Sequence, residues 1–221
     1  MIIRFALASS LLLAGPAFAQ QSPPPAPPPM AADTQLNLDL STGGRVVVQL
    51  RPDVAPGHVA RVRELAGRGF YDGLAFHRVI EGFMAQTGDP KGDGTGGSEL
   101  PDLAAEFSGL PHARGAVAMA RASDPNSANS QFYIMLMPRL SLDGKYTVIG
   151  RVVAGMEYVD RLNRGEPPPE PSRLVRASIG AAPAPEPPKV AGPDDGNVPA
   201  VASQPAPGAA LPPLRGLGPT G

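Results

Sequence analysis

The chain has 221 residues, enough for one domain of ordinary size plus tails. Its 19 basic and 20 acidic side chains give a net charge of -1, without the one-sided basic excess that a nucleic-acid footprint needs, so no nucleic-acid partner is expected. With no cysteine and only His58, His77 and His112, disulfides and zinc–thiolate sites are excluded, and a three-histidine metal site would need every histidine in the chain.

Residues 1–19 read as a secretory signal: Arg4 supplies the positive start, residues 5–13 a short apolar run, and Ala17-Phe18-Ala19 the small-x-small cleavage pattern before Gln20. The apolar run is too short to span a bilayer comfortably, so no stable membrane insertion is expected after cleavage; a retained N-terminal anchor is the alternative. In a bacterium, such a signal implies export to the periplasm or beyond, and a periplasmic address is expected. Residues 20–33 are rich in Pro, Gln and Ala, a composition that favours extended polyproline II and builds no core, and they read as a linker. The folded domain is expected over 34–180.

Residues 36–40 alternate apolar and polar and predict a strand, 41–44 a turn, and 45–50 its partner. Pro56 suits the first position of a helix on which Val59, Val62, Leu65 and Ala66 recur at helical spacing, ended by Gly67 and Gly69. Arg61, Arg63, Glu64 and His58 are expected on its solvated face. Residues 76–89 predict a hairpin around Glu81-Gly82. Strand parity sets Met84 and Gln86 on one face and Phe83 and Ala85 on the other, with Arg78 within cross-strand reach. A cation, a thioether and an amide could thus converge over one patch, able to bind and polarise rather than to make bonds. On spacing alone, an apolar core with a solvated Arg78 fits equally. His77 falls opposite Arg78 by parity and has no credible Ser or Cys partner, which disfavours a hydrolase.

The loop from Gly88 to Gly97 mimics three motifs. Gly92, Gly94 and Gly97 match a dinucleotide fingerprint, but no helix-forming run follows; Lys91 precedes most of the glycines, against a phosphate loop. Asp89 and Asp93 suggest a calcium loop, but Lys91 takes its third position and Glu99 comes one residue early. A conformationally permissive loop, whose backbone can lie close to a ligand, fits better. Residues 102–114 read as irregular, 116–121 as a strand, 123–129 as a turn-rich loop, and 131–137 as a strand with Phe132, Ile134 and Leu136 on the core face. A turn at 142–145 leads to a β-branched strand over 146–153. A short helix follows over 155–163 with Met156, Val159 and Leu162 inward, then a last strand near 174–179. From 181 to 221 Pro, Ala and Gly dominate and periodicity vanishes, so a disordered tail is expected. The whole predicts an antiparallel, mainly β architecture.

The segment from Phe76 to Asp89, Phe76-His77-Arg78-Val79-Ile80-Glu81-Gly82-Phe83-Met84-Ala85-Gln86-Thr87-Gly88-Asp89, resembles the signature of cyclophilin-type peptidyl-prolyl isomerases. Gly94-Thr95-Gly96-Gly97-Ser98, Met119-Ala120-Arg121-Ala122, Ser130-Gln131-Phe132-Tyr133-Ile134 and Leu142-Asp143-Gly144-Lys145-Tyr146 follow in the family's order. The resemblance implies a closed eight-stranded antiparallel barrel capped by two α-helices, with a substrate groove on its outer wall. It also implies isomerisation of X-Pro bonds in proline-containing polypeptides, by a monomer with no metal or organic cofactor. Arg78 would act on the twisted amide, and Gln86 would orient the substrate carbonyl and help place Arg78. Phe83, Met84, Tyr133 and Leu142 would form the proline pocket, Gly94 would line the groove, and Ala120, Arg121, Ala122 and Gln131 would contact the peptide. Tyr133 stands where many members have Phe, and its hydroxyl needs a partner. Tyr146 stands where many have His, and can still donate a hydrogen bond. Ser141 stands where the best-known eukaryotic members have the Trp that matters for cyclosporin, so weak cyclosporin binding is expected. A non-catalytic peptide-binding or chaperone module on the same fold is the alternative function, although a mere binder does not need the cation.

Overall fold

Residues 32–180 are described in the structure, a computed structural model. The signal segment, most of the linker and the tail from 181 onward lie outside the described residues. After a 3-10 turn at Ala32–Thr34, the order is β1 (Gln35–Leu40), β2 (Gly44–Leu50), α1 (Pro56–Gly67), β3 (Arg78–Ile80), β4 (Met84–Thr87), β5 (Ala116–Met119), β6 (Phe132–Met135), β7 (Val148–Ala154), α2 (Met156–Asp160) and β8 (Leu174–Ile179). The eight strands form one antiparallel sheet in the order β3-β4-β6-β5-β7-β2-β1-β8.

The expectation of a closed barrel is corrected: the sheet curls but stays open, with no ladder joining β3 to β8. The reason is local. β3 is only three residues long, and the chain feeding it runs through turns. Isolated bridges Ala75–Arg173 and Val79–Gly165 stand at this seam in place of a ladder.

Strand parity builds two apolar faces. Inward, Ala85, Val117, Met119, Phe132 and Ile134 join the main core, to which α1 contributes Val59, Val62 and Leu65, and α2 Val159. Outward, Met84, Ala116, Ala118, Tyr133 and Met135 meet not water but a second cluster with Phe83, Leu142 and Tyr146 packed against it. Alternation in polarity is not alternation in exposure on β1, where Asn37 and Asp39 are also buried. Asp39 is held there by Arg45, whose Nε and Nη2 donate to its two carboxylate oxygens at 2.7 and 2.9 Å.

On α1 the expected solvated face is partly wrong. His58 and Arg61 are buried, Arg61 donating to the Pro101 carbonyl at 2.7 Å. Ala55, ahead of the helix, cannot cap it. Glu106 does so from a distant loop, accepting from the Gly57 and His58 amides at 3.0 Å each and meeting His58 Nδ1 at 2.6 Å.

Candidate functional site

The outward cluster opens into a recess of about 360 Å³. Phe83, Met84, Tyr133 and Leu142 line it together with Ala120, Tyr146 and the cation of Arg78. The register explains the convergence: Arg78 lies opposite Gln86 across the β3–β4 hairpin, and Gln86 opposite Tyr133 on β6. Phe83 reaches the same recess although parity sets it on the other face, because it belongs to the turn and not to β4. Arg139 lies 5.1 Å above the Phe83 ring.

Gly94, Ala120 and Arg121 also border a second recess of about 400 Å³, which Ala122 and Gln131 line as well. Gln131 stands between the two. Its oxygen accepts from Gln86 Nε2 at 2.8 Å, and its own Nε2 donates to the carbonyls of Gly94 at 3.0 Å and Gly96 at 2.7 Å. The amide expected to help place Arg78 is therefore turned toward Gln131, and the Arg78 Nε instead meets Glu166 Oε1 at 3.1 Å. The Arg121 guanidinium donates to the carbonyls of Ala122 and Lys145 and lies 4.5 Å above the Tyr146 ring. Tyr146 in turn meets Tyr133 edge-on, with ring centroids 6.0 Å apart. Ser141 sits exposed on the 3-10 turn Leu140–Leu142.

The glycine-rich loop is less permissive than its composition suggests. Buried Asp89 accepts from the amides of Lys91 at 2.8 Å, Asp93 at 3.1 Å and Gly94 at 2.6 Å. A side chain at Gly96 would collide with it, a Cβ there standing 2.0 Å from Asp89 Oδ1. Asp93, at the rim of the first recess, is held below the usual carboxylate range by the hydroxyl and amide of Thr95.

His77, Gly92, Asp93, Glu166 and Pro167 also line the first recess and were not among the expected site residues. His77 misleads parity because β3 begins only at Arg78. Its ring is buried, and neither nitrogen has a hydrogen-bond partner, so no base–nucleophile pair forms there among the described residues. Burial lowers its pKa, as does Arg78, against Asp89 and Asp93, which raise it. Glu166 had no local signal, since it arrives from 88 positions along the chain. The arrangement can hold a small apolar ring in the recess while a guanidinium meets whatever lies at its mouth.

Residues 37–179 match the family described as cyclophilin type peptidyl-prolyl cis-trans isomerase/CLD. A protein of Brucella suis biovar 1 named a probable peptidyl-prolyl cis-trans isomerase is 45% identical over 196 residues, covering 81% of this chain and 97% of its own. Peptidyl-prolyl cis-trans isomerase B of Bacillus subtilis is 43% identical over 129 residues, covering 58% of this chain and 89% of its own. Among solved structures, cyclophilin AquaCyp293 from Hirschia baltica aligns with a TM-score of 0.63 at 30% identity, over 68% of this chain and 75% of that one. A Cryptosporidium parvum cyclophilin type peptidyl-prolyl cis-trans isomerase, crystallised in the presence of the dipeptide Ala-Pro, gives 0.62 at 26% identity, over 67% of this chain and 99% of that one.

Proposed function

The chain belongs to the cyclophilin-type peptidyl-prolyl cis-trans isomerases, and from that membership we propose that Arg78 assists its isomerase reaction by stabilising the twisted X-Pro amide during the folding of exported proteins. Resonance sets the barrier to peptide-bond rotation at roughly 18–20 kcal/mol. No bond needs breaking. When the amide twists, the proline nitrogen regains its lone pair and can accept a hydrogen bond. Arg78, permanently charged and rich in donors, supplies one that the planar ground state cannot use, which is differential binding of the transition state.

One such contact is worth about 1.5–3 kcal/mol. At about 1.36 kcal/mol per tenfold, that is roughly one to two powers of ten in rate. The remainder comes from holding the proline ring while the rest of the peptide turns, the role proposed for Phe83, Met84, Tyr133 and Leu142. Gln86 and Gln131, joined by their amides, would meet the substrate backbone together with Gly94, Ala120, Arg121, Ala122 and Tyr146.

The support for this reading is the position of the Arg78 cation at the mouth of an apolar recess. A protease-coupled assay on an X-Pro peptide tests it. Arg78→Ala should lose at least roughly tenfold in kcat/KM while a titration still detects peptide binding. An undiminished rate in Arg78→Ala would remove the cation from the mechanism. Wild-type protein no faster than buffer would favour a non-catalytic peptide binder.

The cleavable signal read in residues 1–19 supports a periplasmic address. Proline-containing polypeptides are the proposed substrates, and the proposed working form is a monomer that binds no nucleic acid and stays out of the membrane after processing. A mature N-terminus at Gln20 in the periplasmic fraction is the expected observation. Among the described residues, no helix is long and apolar enough to cross a membrane.

A further inference from the structure

Three consecutive residues between α2 and β8 grip the hairpin that carries Arg78. Arg164 is ion-paired with Glu81 at the hairpin turn. Gly165 and Val79 exchange both backbone hydrogen bonds, at 2.8 and 2.9 Å. Glu166 Oε1 accepts from Arg78 Nε at 3.1 Å. The strap is anchored behind as well, because the other Arg164 nitrogens donate to the carbonyls of Leu162 and Asp160. Its backbone path leaves no room for a side chain at Gly165: φ is +146°, and a Cβ would stand 2.6 Å from the Pro168 Cα. The carboxylate of Glu166 is therefore delivered to Arg78 by the backbone, and not by the attraction between the two side chains alone.

Two observations single out Glu166. Among the described residues it is the only hydrogen-bond partner of the Arg78 guanidinium, since Gln86, directly opposite Arg78, is bonded to Gln131. Glu166 also lines the same recess, so the pair meets at the mouth and not on a remote surface. A carboxylate on Nε leaves the two terminal nitrogens of the fork free.

We infer that Glu166 is a positioning residue for the isomerase reaction: it holds the Arg78 guanidinium by Nε and so aims the terminal donors at the proline nitrogen. The inference rests on the proposed role of Arg78. The pair is about half exposed, with side-chain accessibilities of 41% and 49%. Such pairs contribute little to folding stability. The effect therefore belongs to the turnover step, where a misaimed fork loses a contact made only in the transition state.

Kinetics of wild type, Glu166→Ala, Glu166→Gln, Arg78→Ala and the Arg78→Ala/Glu166→Ala double variant test this on the mature full chain. Glu166→Ala should lower kcat roughly tenfold, about 1.4 kcal/mol of barrier, with KM and the thermal midpoint unchanged. Glu166→Gln should recover most of the rate, because its amide oxygen still accepts from Nε. The double variant should be no slower than Arg78→Ala alone, since Glu166 acts only through the guanidinium. A wild-type or faster kcat in Glu166→Ala overturns the inference. So does a loss that comes with a lower thermal midpoint, or one that adds to that of Arg78→Ala. If Arg78→Ala itself keeps the wild-type rate, the mechanistic proposal fails first and takes this inference with it; if Arg78→Ala is inactive and Glu166→Ala is not impaired, only the inference fails.

Discussion

The Tyr133 hydroxyl is buried and has no hydrogen-bond partner, although its ring is well packed, stacked on His112 with centroids 6.2 Å apart. Burial pushes its pKa far up, so the phenol keeps its proton and the donor stays unsatisfied. An unpaired buried hydroxyl costs about 1–3 kcal/mol. Tyr133→Phe keeps the ring and removes that cost, so the free energy of unfolding should rise by about 1 kcal/mol with isomerase activity intact. Denaturant midpoints check this; a less stable variant would mean that the hydroxyl finds a partner in solution. At this scale the sequence was informative about residue types and silent about partners. The motifs nominated Arg78 and the four pocket side chains, and all five line one recess. They could not reveal that Arg78 turns to Glu166 rather than to Gln86, because that choice depends on a chain segment far away in sequence.

Helix α1 illustrates the same limit among elements. Pro56 and the spacing of Val59, Val62, Leu65 and Ala66 fixed its start and buried face, and the helix runs Pro56–Gly67. The burial of His58 was not legible, because the group that satisfies it is on the loop at Glu106. Burial raises the Glu106 pKa, but hydrogen bonds from the His58 ring and from the Gly57 and His58 amides outweigh this and hold the carboxyl below its ordinary value. A carboxylate depressed in the fold adds stability at pH values above its unfolded pKa and loses that contribution as pH falls through the lower folded value. Glu106→Ala should therefore destabilise the protein by about 1–3 kcal/mol at neutral pH, from a lost cap and an orphaned ring nitrogen. The gap from wild type should shrink as pH drops below about 4.5, where the unfolded carboxyl protonates. Unfolding titrations at neutral and acid pH measure both; a gap independent of pH would show that the charge of Glu106 is not what caps the helix.

Over the whole molecule, one curled sheet buries an apolar layer on its inner face and, along β4, β5 and β6, a second on its outer face. Alternation read from single strands predicts the inner layer. It cannot say that the outer layer is apolar because distant turns at Leu142 and Tyr146 fold over it and leave a recess. Nor can it say whether the sheet closes, since closure depends on how the three-residue β3 meets a connection about 90 positions later. The seam that results lies beside the recess, where Glu166 and Pro167 form part of the lining. Local openings in a protein span a wide range of free energies, and strands with few ladder bonds sit at the low end. β1 has ladders on both sides, whereas β3 has one ladder and, across the seam, the single bridge from Val79 to Gly165. The Val79 amide should therefore exchange its hydrogen faster than the amides of β1, through an opening smaller than global unfolding. Gly165→Ala forces the backbone away from Pro168 and should speed exchange at Val79 and Phe76, whose amides bond across this seam to Gly165 and Ser172. Exchange in β1 should follow only the change in global stability. Equal protection of Val79 and β1 in the wild type would mean that the seam opens only when the whole sheet does, and that the barrel behaves as closed despite its missing ladder.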